Sequence, residues 1–334
     1  MLPIDTLGRG LRDLRISVTD RCNFRCRYCM PREVFDSDYE FLPRSNLLSF
    51  EEVGRLASVL VGLGVRKVRL TGGEPLLRRD LPDLVEMLAA TAVEDVAMTT
   101  NGSILARHAG RLAAAGLDRV TVSLDSLDED TFHYLADAPH SVGDVLEGIE
   151  AASEAGLGPV KVNAVVIKGV NDGEIESMAE YFRGTGHILR FIEFMDVGST
   201  NGWRMDDVVT ASDIVDRVAA QWPIEPVDAG YPGEVAARWR YRDGGGEIGV
   251  IASVTEPFCG DCTRLRLSAE GSVYTCLFAT HGTDLRGPIR SGASDEELAE
   301  LVSRVWLERG DRYSEIRSEV PLGLPKVEMS YIGG

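Results

Sequence analysis

The chain has 334 residues, 44% of them hydrophobic, a formal net charge of −18 and a mean hydropathy of −0.05. These values describe a soluble globular protein of one large domain with an appendage, or of two domains, and the acidic excess argues against a nucleic-acid surface, which needs a basic footprint. With no run of about 18 apolar residues and no basic-then-apolar leader, neither a membrane span nor a signal peptide is expected, and the reading is cytoplasmic.

In chain order, the first strand is expected at 11–19, where Leu14, Ile16 and Val18 alternate with Arg15 and Ser17. Ser49 and Glu52 make a capping box that opens a helix to about Leu63, with Gly64 at its end. A short strand at 66–70 runs into Thr71-Gly-Gly-Glu-Pro75, whose two glycines permit positive φ or close approach to a ligand. Helices at about 81–91, 104–115, 142–155 and 173–182 then alternate with strands at about 96–100, 119–124, 160–167 and 188–194. Six strands alternating with helices predict a parallel sheet, in a closed or partial barrel or in a doubly wound fold. Regularity breaks after about residue 220. Residues 235–241 and 247–252 flank Asp243-Gly-Gly-Gly246 as a hairpin, and 263–268 and 272–275 turn at Glu270-Gly271 as another. Ser294 and Glu297 cap a last helix to about Glu308. The expected domains are 1–220 and an α+β appendage, 221–334.

All six cysteines fall in two triplets, Cys22, Cys26 and Cys29, and Cys259, Cys262 and Cys276. In a chain read as cytosolic this favours metal binding over disulfides. The first triplet is CxxxCxxC just after a strand, so one loop turns three thiolates onto one centre. Thiolates suit zinc or an iron–sulfur cluster. A structural zinc site wants four protein ligands, whereas a four-iron cluster held by three cysteines leaves one iron open for a small molecule. The second triplet has the same deficit. His281 is the rival fourth ligand there, for a Cys₃His zinc site, but two incomplete sets in one chain fit two clusters better.

Between the second set of cysteines, Arg264 and Arg266 share one face of a strand while Leu265 and Leu267 pack behind. Two guanidiniums beside a cluster form a phosphate clamp; the plain alternative is the solvated face of an edge strand. Lys67 and Arg69 repeat the spacing. Ligands of a parallel sheet gather at the C-terminal ends of its strands, and Arg15, Lys67, Arg69, Thr100, Lys161 and Arg190 belong to those strands or their exits. An anionic small substrate suits that set.

The stretch from Asp20 to Pro31, with Tyr28 before its last cysteine, resembles the signature of radical S-adenosylmethionine enzymes. Arg12–Cys22, Arg69–Pro75, Thr99–Gly102, Val122–Asp125, Arg190–Met195, Cys259–Ser268 and the terminal Gly333-Gly334 together are similar to the molybdenum cofactor biosynthesis protein A family, the GTP 3′,8-cyclases, over nearly the whole chain. The resemblance implies an α/β fold, an incomplete (β/α)6 TIM-like barrel with a C-terminal α+β domain carrying a second iron-sulfur cluster. It implies two [4Fe-4S] clusters, one on Cys22, Cys26 and Cys29 and one on Cys259, Cys262 and Cys276, the second offering its open iron to guanine. S-adenosyl-L-methionine would lie against Gly73, Ser123, Met195 and the backbone near Tyr28. GTP would contact Arg15, Arg69, Thr100, Lys161, Arg264, Leu265 and Arg266, with Lys67 and Arg190 in support. The catalytic set would be the first triplet, Arg264, Arg266 and a tail, Gly333 and Gly334, that enters the site. The implied reaction abstracts the ribose 3′-hydrogen with a 5′-deoxyadenosyl radical and joins C3′ to C8. Its product would pass to cyclic pyranopterin monophosphate synthase; the electron donor is not indicated, and a homodimer is one option. On residues alone, Met195 reads more often as core and the diglycine more often as a frayed end, while Ser123 also reads as a small residue at a strand end and Gly73 as a turn residue.

Overall fold

The structure, a computed structural model, describes residues 2–231, 233–317 and 326–333. Six strands, β1 (Asp13–Ser17), β2 (Lys67–Thr71), β3 (Asp95–Thr100), β4 (Arg119–Ser123), β5 (Lys161–Val166) and β6 (Ile188–Glu193), pair in parallel in their sequence order. The intervening helices are α1 (Phe50–Gly62), α2 (Leu81–Ala89), α3 (Ala109–Ala114), α4 (Glu129–Ala136), α5 (Val142–Glu154) and α6 (Ile175–Phe182), and α7 (Ala211–Gln221) follows β6. Alternate strand residues explain the layering. Leu14, Ile16, Val68, Leu70, Val122 and Val162 are sealed against helix residues such as Leu56, Leu84 and Ile149 in one hydrophobic core. Their neighbours in each strand, among them Arg15, Arg69, Asn163 and Arg190, turn to the opposite face and line a cavity.

The C-terminal third contributes to the same sheet. It contains β7 (Ile224–Val227), β8 (Ala237–Tyr241), β9 (Glu247–Ile251), β10 (Arg264–Leu267), β11 (Ser272–Tyr274), β12 (Thr283–Asp284), α8 (Arg286–Arg290), α9 (Asp295–Leu307), α10 (Tyr313–Ile316) and α11 (Met329–Ile332). The strand order is β12-β11-β10-β1-β2-β3-β4-β5-β6-β9-β8-β7. Strand β10 pairs parallel with β1, and β9 pairs parallel with β6. An incomplete barrel of six strands is thus flanked on both open edges by strands of the appendage, which satisfy the main-chain groups an edge leaves unpaired. Residue 220 lies at the end of α7, just before β7.

Both expected hairpins, β8–β9 and β10–β11, are present. So are both capping boxes, with reciprocal bonds between Ser49 and Glu52 and between Ser294 and Glu297. The helix expected at 104–115 is broken instead into a 3₁₀ turn, Leu105–Arg107, and α3. Helix α5 packs on that turn so closely that a Cβ on Gly148 would stand 2.5 Å from the Gly102 carbonyl oxygen. Helices α4 and α7 arise where no helix was expected. They start on side-chain caps, Asp128 accepting from the Thr131 N–H and Thr210 from the Asp213 N–H. Among the described residues no helix is long and apolar enough to cross a membrane.

Candidate active site between two cysteine triplets

All six cysteines are free thiols that line one cavity of about 310 Å³. The first triplet occupies the loop leaving β1. It turns at Cys26, whose carbonyl accepts from the N–H groups of Cys29 at 2.9 Å and Met30 at 2.8 Å. The end of α4 anchors it: the carbonyls of Ala136 and Leu135 accept from the N–H groups of Arg25 and Arg27. Phe24 is buried edge-on to Phe132, with ring centroids 5.9 Å apart. Behind the loop, a Cβ on Gly73 would stand 2.3 Å from the Arg21 carbonyl oxygen. Gly73 is therefore required by the crossing of the cysteine loop, and that crossing leaves its main chain on the cavity wall.

Two carboxylates that spacing did not single out, Glu74 buried and Asp125 half-buried, organise this end. Glu74 is completely buried and accepts from Thr100 Oγ1 at 2.8 Å and from the N–H groups of Asn101 at 2.7 Å and Leu76 at 3.0 Å. Burial lifts its carboxyl to about 7 in spite of those bonds. Thr100 lines the cavity, but its hydroxyl proton is committed to Glu74. Asp125 Oδ2 accepts from the Tyr28 hydroxyl at 2.6 Å and Oδ1 from the Val165 N–H at 2.8 Å, and burial lifts Asp125 to about 6. Ser123 and Met195 complete this end of the wall.

Strand register assembles the basic wall. Arg266, Arg15 and Arg69 stand side by side on β10, β1 and β2, and Arg264, Asp13 and Lys67 form the row below. Arg69 donates to Thr99 Oγ1 and Thr121 Oγ1, and Arg190 to Asn163 Oδ1 at 2.9 Å. Burial, followed by repulsion from Arg266, Arg264 and Arg69, holds Arg15 well below its usual range; burial and Arg264 take Arg266 to about 10. Burial and then Arg190 and Lys67 take Lys161 to about 7. Lys161 does not line the cavity, and it acts on it through this shared field. Cations crowded in this way are stabilised by a polyanion. Leu265 alternates with the two arginines, and its side chain is fully buried in the core, away from the cavity, so only its main chain faces the row.

The first triplet follows the C-terminal end of β1, whereas Cys262 precedes the N-terminal end of β10, which runs parallel to β1. The two triplets therefore lie at opposite ends of the strands, separated by four or five residues of strand, about 15 Å, with the arginine row between. Cysteine triplets thus sit at both ends of this barrel. The second triplet is the more polar. Arg264 Nε lies 3.3 Å from Cys262 Sγ, and Arg264 and Arg309 overcome burial to bring that thiol to about 6. In the first triplet burial lifts Cys22 to about 12 and holds Cys26 well above the usual thiol range, which a cationic metal centre reverses on binding. Among the described residues no three His, Cys, Asp or Glu close around a single ion. His281 is exposed, 3.0 Å from Thr280 Oγ1, and absent from the cavity wall. The Cys₃His zinc alternative is therefore not formed, and three thiols open to a shared cavity suit a polynuclear centre in which each iron takes one cysteine.

The tail reaches the same place. Met329 and Ser330 line the cavity, Ile332 is completely buried, and the Gly333 carbonyl accepts from Arg266 Nη1. Gly333 has φ +76°, and a Cβ there would stand 2.2 Å from Thr71 Cγ2, so glycine is needed. Asp196 holds Lys326 at 2.7 Å, and Glu328 accepts from the Ser199 N–H at 3.0 Å. Gly334 lies outside the described residues.

Residues 16–182 match the model of the Radical SAM superfamily, and residues 187–315 match that of Molybdenum Cofactor Synthesis C. The barrel, the cysteine loop and these matches define a radical S-adenosylmethionine enzyme that uses S-adenosylmethionine with iron–sulfur clusters. The GTP 3′,8-cyclase of Acidothermus cellulolyticus is 58% identical over 99% of this chain and 98% of its own length. Those of Xanthomonas axonopodis pv. citri and Staphylococcus aureus are 51% and 48% identical, each over 99% of this chain and 98% of its own. The chain belongs to the GTP 3′,8-cyclase family of molybdenum cofactor biosynthesis. Among solved structures, Streptococcus suis SuiB bound to S-adenosylmethionine shares the fold, with a TM-score of 0.62 over 92% of this chain and 68% of that one at 15% identity.

Proposed function

We propose that this chain converts GTP to (8S)-3′,8-cyclo-7,8-dihydroguanosine 5′-triphosphate, with the residues of the shared cavity in the following roles. The observation that carries the reading is one cavity with a free-thiol triplet at each end and a row of arginines between. Cys22, Cys26 and Cys29 would hold one [4Fe-4S] cluster, and Cys259, Cys262 and Cys276 the other. With S-adenosylmethionine bound and an external reductant supplying the electron, the first would supply the chemistry that generates a 5′-deoxyadenosyl radical, the species that would take the ribose 3′-hydrogen.

The remaining work belongs to the protein and is positional. Gly73, Ser123, Met195 and the Tyr28–Asp125 pair line the adenosylmethionine end. Arg15, Arg69, Arg264 and Arg266 hold the triphosphate, with Lys67, Lys161 and Arg190 adding to the field, so that C3′ is held at contact distance from the radical carbon. Enclosure keeps water from the reacting carbons. The Gly333 carbonyl on Arg266 brings the described end of the tail to the arginine row, which supports a catalytic role for Gly333 and Gly334. Division of labour follows the proposed domains: 1–220 generates the radical, and 221–334 selects the substrate. The reading places the reaction in the cytoplasm, with the product passing to cyclic pyranopterin monophosphate synthase.

The test is anaerobic reconstitution with iron and sulfide, followed by S-adenosylmethionine, a reductant and GTP. A GTP-dependent cyclised product is expected. Arg266→Ala should weaken GTP binding at least tenfold more than adenosylmethionine binding, since it removes a buried charged donor. A chain that cleaves adenosylmethionine but leaves GTP unchanged overturns the reading.

A further inference from the structure

A buried ionic cluster behind the second triplet has no part in the mechanism above. Asp5, Arg9 and Arg309 are each at least 94% buried, with exposures of 6%, 4% and 4%. Asp5 Oδ2 accepts from Arg9 Nε at 2.6 Å and from Arg309 Nη1 at 3.1 Å. Both guanidiniums then reach the cysteine segments. Arg9 Nη1 donates to the Cys259 carbonyl at 2.6 Å and to the Asp311 carbonyl at 3.0 Å. Arg309 Nη1 donates to the Cys262 carbonyl at 2.7 Å, and its Nε to the carbonyl of Thr275, the residue before Cys276, at 3.1 Å. Asp311 Oδ2 lies 3.5 Å from Arg309 Nε. Trp306, fully buried at the end of α9, holds the Arg9 carbonyl at 3.0 Å, and its ring lies 4.6 Å from the Arg309 guanidinium carbon.

Every cysteine of the second triplet thus has its own carbonyl, or its neighbour's, held by one of two arginines that share a single carboxylate anchor. Both arginines line the cavity. One donor is left over: Arg9 Nη2 is buried with no hydrogen-bond partner. A buried guanidinium donor without a partner is costly, and an acceptor entering the cavity beside it would relieve that cost.

We propose that Arg9 and Arg309, anchored on Asp5, are the positioning residues of the second centre, and that Arg9 Nη2 donates to a sulfur of that centre. The inference rests on the reading that Cys259, Cys262 and Cys276 hold a cluster. Hydrogen bonds to cluster sulfur favour the reduced, more negative state and so raise its potential. Arg9→Lys keeps the charge and loses both the fork and Nη2. Arg309→Lys disturbs the main-chain grip and leaves Nη2 in place.

The experiment uses the full chain carrying Cys22→Ala, Cys26→Ala and Cys29→Ala, so that any cluster is the second one. About four irons per chain are expected after reconstitution; none would sink the cluster reading itself. On this background Arg9→Lys should lower the midpoint potential, change the electron paramagnetic resonance signal and at least halve the iron retained on gel filtration. Arg309→Lys should halve retention with a smaller shift in potential. In the complementary background, Cys259→Ala, Cys262→Ala and Cys276→Ala, neither variant should move the first centre. Unchanged potential and retention in Arg9→Lys, or equal shifts at both centres, would overturn the proposal.

Discussion

Glu74 sits completely buried in the Thr71–Pro75 turn, its oxygens accepting from Thr100, Asn101 and Leu76. Its carboxyl titrates at about 7, against 4.5 for an ordinary glutamate, because burial penalises the charged form. The folded chain therefore binds this proton more tightly than the unfolded one. The associated stability is fully present below about pH 4.5 and is lost as pH rises through 7. Urea unfolding of the cluster-free protein should show wild type losing up to ~3 kcal/mol relative to Glu74→Gln between pH 5 and pH 8. A difference that does not change with pH would contradict this. At this scale the sequence was legible where spacing carries chemistry: six cysteines in two triplets, and arginines at i and i+2. Glu74, Asp125 and Arg9 were not singled out, because an acid in a turn or an arginine near a terminus has no local signature of burial. Their partners lie on other elements, Asp125 on Tyr28 and Arg9 on Asp311 some 300 residues away. The plain reading of Gly73 as a turn residue is correct in part, since its missing side chain makes room for the cysteine loop.

Among elements, that crossing of two loops fixes the first triplet. Gly73→Ala places a methyl group 2.3 Å from the Arg21 carbonyl oxygen, a main-chain atom that moves only if the cysteine loop moves with it. Reconstituted Gly73→Ala should lose most of the iron of the first centre, cleave adenosylmethionine at least tenfold more slowly and keep its second centre, as iron analysis and 5′-deoxyadenosine yield would show. Equal iron loss from both centres would mean general misfolding instead. Helices announced by a Ser-x-x-Glu box were legible, as at Ser49 and Ser294. Helix α4, which anchors the cysteine loop, spans two turns and starts on Asp128 without a reciprocal glutamate, so neither period nor cap marked it. Its packing against Phe24 supplies what local propensity lacks.

Across the whole molecule, the fold turns on pairings between distant segments. Residues 13–16 pair with 264–267, and 189–192 with 248–251, which carries the second triplet to the N-terminal end of a barrel whose C-terminal end holds the first. The β/α alternation made the six-stranded core legible, and the two hairpins were legible as hairpins. Their return to the barrel edges was not, because strand pairing across some 250 residues for β10 and some 60 for β9 leaves no periodic trace. The same pairing explains how a chain of net charge −18 holds a basic chamber: register places Arg266, Arg15 and Arg69 side by side.

The central claim is that GTP spans this chamber with its ribose C3′ against the adenosylmethionine end. The most direct measurement is the fate of that hydrogen, followed by mass spectrometry of 5′-deoxyadenosine from the reconstituted wild-type enzyme given GTP deuterated at C3′ or at C2′. Deuterium should appear in 5′-deoxyadenosine from the 3′-labelled substrate and not from the 2′-labelled one. Transfer from C2′, or from neither position while adenosylmethionine is consumed, would contradict the account.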